Sequence, residues 1–276
     1  MTAENDALTE ELLYLYGVVP GDARVPPSAE RGLEAGRVRL LDLGQVSAVI
    51  SRVESDEYGE ERLNERLRDL EWVGARGMEH EEVLQGLAAE TTVLPLRPFS
   101  LHAGEARLRD RLEPEVPRLL ETLERLRGRG EWSLRMWRDA GRLREALGRH
   151  SSRIARMEAE VKEASPGRRF LLAKKLETEI AEEVRTVTGQ AVKKVFTDLG
   201  EAAEGAVALP VPPLDAGRSE GRELVLRAAF LVHGENADTF RERATALEQQ
   251  WKSGELLLEL TGPWPAYNFS APDDEQ

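Results

Sequence analysis

Between Leu143 and Val195, apolar side chains recur at steps of three and four residues, and a chain has few ways to bury so long a stripe. Leu143, Leu147, His150, Ile154, Met157 and Val161 fall on one helical face. Ser165-Pro166 interrupts the pattern, with Ser165 suited to an N-cap and Pro166 to the first helical position. Phe170, Ala173, Leu176, Ile180, Val184, Val187, Ala191 and Val195 then resume it as far as about Leu199. The pattern predicts two helices joined by a short turn, an antiparallel hairpin whose arms are each roughly 35 to 45 Å long. That exceeds the needs of a compact domain, so the hairpin is either a lever or interaction arm, or a solvated structural element.

Strands surround this hairpin. Glu131 to Trp137 alternates Trp132, Leu134 and Met136 against Ser133, Arg135 and Trp137. After the hairpin come a short edge strand over Gly205 to Val211, limited by Pro210, Pro212 and Pro213, and a clear strand over Glu223 to His233. A helix over Glu235 to Trp251 and a last strand over Glu255 to Thr261 complete the order. Strand, helices, strand, strand, helix, strand is the order of a ferredoxin-like domain with its first crossover enlarged. Leu209-Pro210-Val211-Pro212-Pro213-Leu214-Asp215 is a short, rigid connection.

The chain before Arg127-Gly128-Arg129-Gly130 forms a separate α/β domain, because two glycines in four residues mark the best boundary in the sequence. Leu12 to Val19 is a buried-strand signature closed by Pro20-Gly21. Arg37 to Leu43 and Val46 to Val53 form a hairpin across Gly44-Gln45. Leu63, Leu67 and Leu70, then Val83, Leu84 and Leu87, have helical spacing, and Thr91 to Arg97 reads as a strand. Ala106 to Leu126 reads as one helix with Pro114 and Pro117 in its early turns. The expected class is α+β in two domains: residues 1–128, residues 129–261 with the hairpin, and a tail over residues 262–276.

That tail opens with Gly262-Pro263-Trp264-Pro265-Ala266-Tyr267-Asn268-Phe269. Chain ends fray unless anchored, so three aromatic residues there predict a docked segment. It clips onto its own domain or bridges domains or partners. In the domain reading, Pro263 and Pro265 hold it extended beyond the sheet while Trp264, Tyr267 and Phe269 pack in a groove against the first domain.

The chain of 276 residues carries a net charge of −13, which disfavours nucleic acid and anionic lipid as partners. It has no cysteine, no secretory signal pattern and no apolar run near the ~20 residues of a membrane span, so it reads as soluble and cytoplasmic. A search for chemistry returns little. His80 sits in Met78-Glu79-His80-Glu81-Glu82, lacks the second histidine of HExxH, and reads as a solvated or capping residue. His102, His150 and His233 are isolated, His150 reading as a packed histidine on the apolar stripe. No nucleotide-binding glycine loop or nucleophile elbow occurs, and no catalytic residue, cofactor or metal is expected. Aromatic, proline and arginine residues instead gather at three segments: Val93 to Phe99, Glu131-Trp132 and Gly262 to Phe269. These suit protein interfaces or ordinary core packing.

These segments fall in a specific order. An opening YxYGVV (Tyr14, Tyr16, Gly17) is followed by His80-Glu81, by T-V-L-P-L-R (Thr92 to Arg97) and by Glu131-Trp132. An S-x-G...F-L-x-x-K-K run (Ser165, Gly167, Phe170, Leu171, Lys174, Lys175) and the closing GPWPxYNF complete the set. In this the chain resembles the GvpF/GvpL family of gas vesicle proteins, from about Leu13 to Phe269. It departs from the usual Phe-Gly after P-L-R, having Pro98-Phe99-Ser100, and has Ala266 where the family has a second proline before the tyrosine. The resemblance implies an N-terminal α/β domain, a modified ferredoxin-like C-terminal domain, no enzyme activity, and a location at the gas vesicle. It implies an accessory or minor structural role, with the N-terminal domain binding the hydrophobic shell protein GvpA and contacts to other accessory gas vesicle proteins. The interface candidates are Tyr14, Tyr16, Arg97, Phe99, Trp132, Trp264, Tyr267 and Phe269. The alternative is a soluble adaptor of the same fold in an unrelated complex.

Overall fold

The computed structural model describes residues 11–212, 218–219, 221–251 and 254–270, with no account of the side chains at 148–150 and 218–219. The chain divides into two compact units: Met1–Gly130 together with Trp264–Gln276, and Glu131–Pro263. The first unit is therefore discontinuous, since the chain returns to it after completing the second.

In the first unit, β1 (Leu12–Pro20) is central. It pairs antiparallel with β3 (Val46–Val53), and β3 pairs with β2 (Arg39–Asp42) across the two-residue turn at Gly44. On its other side β1 takes up the short β4 (Leu94–Pro95) and β5 (Leu101–Ala103), also antiparallel. Every residue of β1 from Leu13 to Val19 is buried, which explains its continuous rather than alternating apolar run. Leu13 and Leu15 pack with Leu41, Ile50, Leu108 and Leu112 on one face; Tyr14, Tyr16 and Val19 pack with Val83, Leu84 and Leu87 on the other. A register shift between Leu15 and Gly17 leaves Tyr16 as the extra residue of a bulge. Gly17 itself is dictated by close approach, since a Cβ there would lie 2.6 Å from the Leu94 carbonyl oxygen.

The helices of this unit are α1 (Ser55–Tyr58), α2 (Glu60–Arg66), α3 (Leu70–Ala88), α4 (Gly104–Leu112) and α5 (Val116–Leu126). Two expectations need correction. The stretch expected as one helix over Ala106 to Leu126 is two, divided by a 3-10 turn at Glu113–Glu115 around Pro114, with Pro117 in the first turn of the second. Leu67 and Leu70, expected on a packed face, are exposed, because α2 ends at Arg66 and α3 restarts under an Asp69 N-cap whose carboxylate accepts from the Glu71 and Trp72 amides.

The second unit holds a sheet in the order β10 (Leu256–Trp264), β6 (Arg129–Arg138), β9 (Arg222–His233), β7 (Gly205–Leu209), with β8 (Arg218–Ser219) also on β9. Its helices are α6 (Ala140–His150), α7 (Ser152–Glu163), α8 (Pro166–Gly200) and α9 (Ala237–Glu248). The first arm of the expected hairpin is thus broken at Ser151, whose hydroxyl caps α7 by accepting from the Ile154 amide. The second arm is a single helix of 35 residues, about 52 Å at ~1.5 Å per residue. Its first half closes a seam with α6 and α7 through Leu143, Ile154, Leu176, Ile180 and Val184. Farther along, Ala191, Val195 and Leu199 join the sheet core of Trp132, Met136, Phe230 and Phe240. Ser165 does precede Pro166 at the N-cap position, but its side chain caps no amide. Phe170, expected on the packed stripe, is 73% exposed. The side chain of His150 and the Pro213 to Asp215 part of the connection fall outside what is described.

Candidate functional site

Four of the segments singled out in the sequence meet inside the first unit. Tyr14 and Tyr16 lie on one face of β1 with their rings 4.8 Å apart, and His80 from α3 packs against both, stacked on Tyr16 at 5.6 Å. The histidine is 1% exposed, not solvated as expected. Its position was open to a sequence signal: His80, Val83, Leu84 and Leu87 follow the i, i+3, i+4, i+7 rule and share the buried face of α3.

The polar atoms around His80 assign its tautomer. Nε2 lies 3.2 Å from the Leu96 carbonyl oxygen, which only accepts, so Nε2 carries the proton. Nδ1 of the neutral ring is then the acceptor, and the Tyr14 hydroxyl at 2.8 Å donates to it. The Tyr14 oxygen in turn accepts from the Phe99 amide at 3.0 Å. One directed chain therefore runs from the Phe99 amide through Tyr14 and His80 to the Leu96 carbonyl, and it grips the segment from Leu96 to Phe99 at both ends. Burial is the largest influence on these groups. It lowers the His80 pKa to about 4, with the hydrogen bond to Leu96 opposing, and pushes the Tyr14 hydroxyl well above its ordinary value. Tyr16 anchors a second loop: its hydroxyl bonds Ser51 Oγ at 2.9 Å and accepts from the Leu33 amide at 2.8 Å.

What this grip holds is strained. Phe99 has φ +65°, a left-handed conformation that L side chains with a bulky ring rarely take, and its ring stacks on Trp72 at 5.5 Å. Arg97 and Pro98, immediately before it, are exposed. Among the described residues Arg97 makes no hydrogen bond or ion pair.

Glu81, beside His80, binds the returning tail. The Tyr267 hydroxyl donates to Glu81 Oε2 at 2.8 Å, and the Tyr267 ring packs on the Tyr14–Val83 core. Arg125 of α5 donates to the Phe269 carbonyl at 2.9 Å, and Phe269 is 4% exposed. Nothing in the sequence pattern marked Arg125 for this role. The tail is extended beyond the sheet only from Pro265, since β10 runs through Trp264, and Trp264 is exposed rather than in a groove.

The other candidates separate from this cluster. Trp132 belongs to the core of the second unit, with its ring 6.0 Å from Phe240. Glu131-Trp132 and Gly262 nevertheless explain each other. A Cβ at Gly262 would stand 2.7 Å from the Glu131 carbonyl oxygen and 3.2 Å from Trp132 Cα, and its φ of +142° also favours glycine. Of the interface candidates, Tyr14, Tyr16, Trp132 and Phe269 are buried, Arg97 and Trp264 present surface, and Phe99 and Tyr267 are half-buried.

No described helix is long and apolar enough to cross a membrane. Against known proteins, the sequence model for gas vesicle synthesis protein GvpL/GvpF matches residues 12–271. Gas vesicle protein L of Streptomyces sp. (strain CB03234) is 29% identical over 97% of this chain and 96% of its own length. Gas vesicle protein L2 of Halobacterium salinarum is 27% identical over 94% and 91%. The fold is similar to that of crystalline GvpF from Anabaena sp. PCC7120, with a TM-score of 0.71 at 19% identity, covering 95% of this chain and 99% of that one. GvpF from Microcystis aeruginosa gives a TM-score of 0.65 at 18% identity, with the same coverage. With the match running through the buried tyrosines, the His80-Glu81 pair and the anchored tail alike, the chain belongs to the GvpL/GvpF family of gas vesicle synthesis proteins.

Proposed function

We propose that this chain is an assembly factor of the gas vesicle, acting in the cytoplasm, which binds the small apolar shell protein GvpA through its first unit and contacts other accessory gas vesicle proteins. The observation that carries this reading is the surface at Arg97-Pro98-Phe99: an exposed arginine on a backbone held in a costly conformation by the buried Tyr14–His80 chain. Strain of about 1–3 kcal/mol persists only where surrounding contacts over-determine it, and such places cluster at binding sites. Arginine is also a frequent hot-spot residue. The net charge of −13 suits the task, because an acidic carrier keeps a complex with an apolar subunit dispersed.

The second unit is, in this reading, a ferredoxin-like domain. Its strand order β10-β6-β9-β7 supports this, being that of a βαββαβ fold whose first crossover has grown into α6, α7 and α8.

The test is retention of co-expressed GvpA on the full chain. A fragment ending at Gly128 is unsuitable, since it lacks Tyr267 and Phe269 of the first unit's own core. Arg97→Glu is expected to lower retention at least tenfold with an unchanged melting temperature, as for loss of a hot spot. Retention equal to wild type would remove Arg97 and its loop from the interface.

A further inference from the structure

Two exposed apolar patches are left over by these assignments, and they are complementary in charge. The first is the turn between α7 and α8. Phe170 and Leu171 are 73% and 67% exposed on the opening turns of α8. From Lys162 to Lys175 the chain has five basic residues against the single acid Glu163. Arg169 donates to the carbonyls of Ala164 and Lys162 and so fixes the turn, which presents the two apolar side chains on a firm base. This is a basic, apolar knob on a protein of net charge −13.

The second patch is the outer face of α2 and α3. Leu70 and Met78 are 84% and 65% exposed, with Leu67 at 41%, and Gly74 lies between Leu70 and Met78 on the same helical face. A Cβ at Gly74 or Gly77 would meet nothing within 4 Å, so the face has a notch open to an incoming side chain. Its surroundings are acidic: residues 54–82 hold eleven carboxylates against four arginines. Three of those arginines are already paired, Arg62 with Glu65, Arg66 with Glu57, and Arg76 with Glu34 and Glu79.

We infer that the occupant of each patch is the other patch on a second copy of this chain: the basic knob Phe170-Leu171 of one molecule seats on the acidic, glycine-notched face of α3 in the next. Both patches are exposed within a single chain, so each molecule offers one of each. The contact joins two different surfaces, so it is heterologous, and the rotation between copies decides whether the assembly closes or extends. The apolar side chains supply the attraction and the opposite charges set partner and orientation. A contact this small is weak and salt-dependent.

Sedimentation equilibrium of the full chain tests this without any other protein. Wild type is expected to show a mass that rises above the 30.8 kDa monomer with concentration, with association at least tenfold weaker at high salt than at low. A knob variant, Phe170→Asp with Leu171→Asp, and a face variant, Leu70→Lys with Met78→Lys, are each expected to remain monomeric. Mixed together they retain one intact knob and one intact face, so they should form a pair that stops at two copies. Lys174→Glu with Lys175→Glu, which leaves the apolar residues in place, should weaken association as salt does. Three results would overturn the inference: a wild type that is monomeric throughout, a knob variant that associates like wild type, or a mixture that stays monomeric. Binding of the monomeric wild type to anionic lipid vesicles, lost in the knob variant, would assign the knob to membranes instead.

Discussion

In the first unit the residues at the centre of the core, Tyr14, Tyr16 and His80, carry polar ends joined by hydrogen bonds, whereas the centre of the second is built on Phe230, Phe240, Trp132 and Met136. The difference has consequences. An apolar core tolerates many arrangements of similar volume, but a buried polar chain is satisfied in only one, because each unmade bond costs about 1–3 kcal/mol. The first unit uses that demand to hold Phe99 in a left-handed conformation and to keep the tail in place. The second needs only volume and periodicity to join a sheet to a long helical hairpin.

The comparison can be broken at its apolar end first. Phe230→Ala should destabilise the second unit by about 3–5 kcal/mol, seen as a lower denaturant midpoint for probes in residues 131–263, because a fully buried ring leaves a cavity. Next in size is the pH response of the first unit. His80 is held near a pKa of about 4 in the fold against 6.5 when unfolded, so the unfolded chain takes up the proton first. Stability is therefore complete above about pH 6.5 and falls by roughly 3 kcal/mol as the pH drops toward 4. His80→Gln should flatten the part of that slope above pH 5, where carboxylates contribute little; an unaltered slope would assign it to other groups. The smallest effect is at the tail. Tyr267→Phe deletes the hydroxyl that donates to Glu81 and should cost about 1 kcal/mol, read from the denaturant midpoint of first-unit probes.

The two units also differ in how far they could be read from sequence. Periodicity carried the second: the strands around Trp132 and Phe230 and the restart at Pro166 lie close to where spacing placed them, because burying one apolar face is what orders that unit. It failed at Ser151, where a cap interrupts a stripe that continues in the sequence, and at Phe170, which α8 leaves exposed. In the first unit the apolar runs located β1, β2 and β3, but polar residues hid the site. His80 sits among three glutamates, Glu79, Glu81 and Glu82, and reads as solvent-facing until its spacing to Val83, Leu84 and Leu87 is counted. Arg125 and Glu81 hold the tail across 144 and 186 positions of sequence, a pairing that no local pattern encodes. The strain at Phe99 was likewise invisible, since it is imposed by a hydroxyl 85 residues away.

That imposed strain is also the most direct point of attack. Tyr14→Phe keeps the ring and removes only the hydroxyl that joins the Phe99 amide to His80. Amide hydrogen exchange at Phe99 in the full chain should accelerate at least tenfold in this variant, while amides of β9 in the second unit keep their wild-type rates. Unchanged protection at Phe99 would contradict the claim that the buried chain of Tyr14 and His80 holds the Arg97-Pro98-Phe99 surface in place.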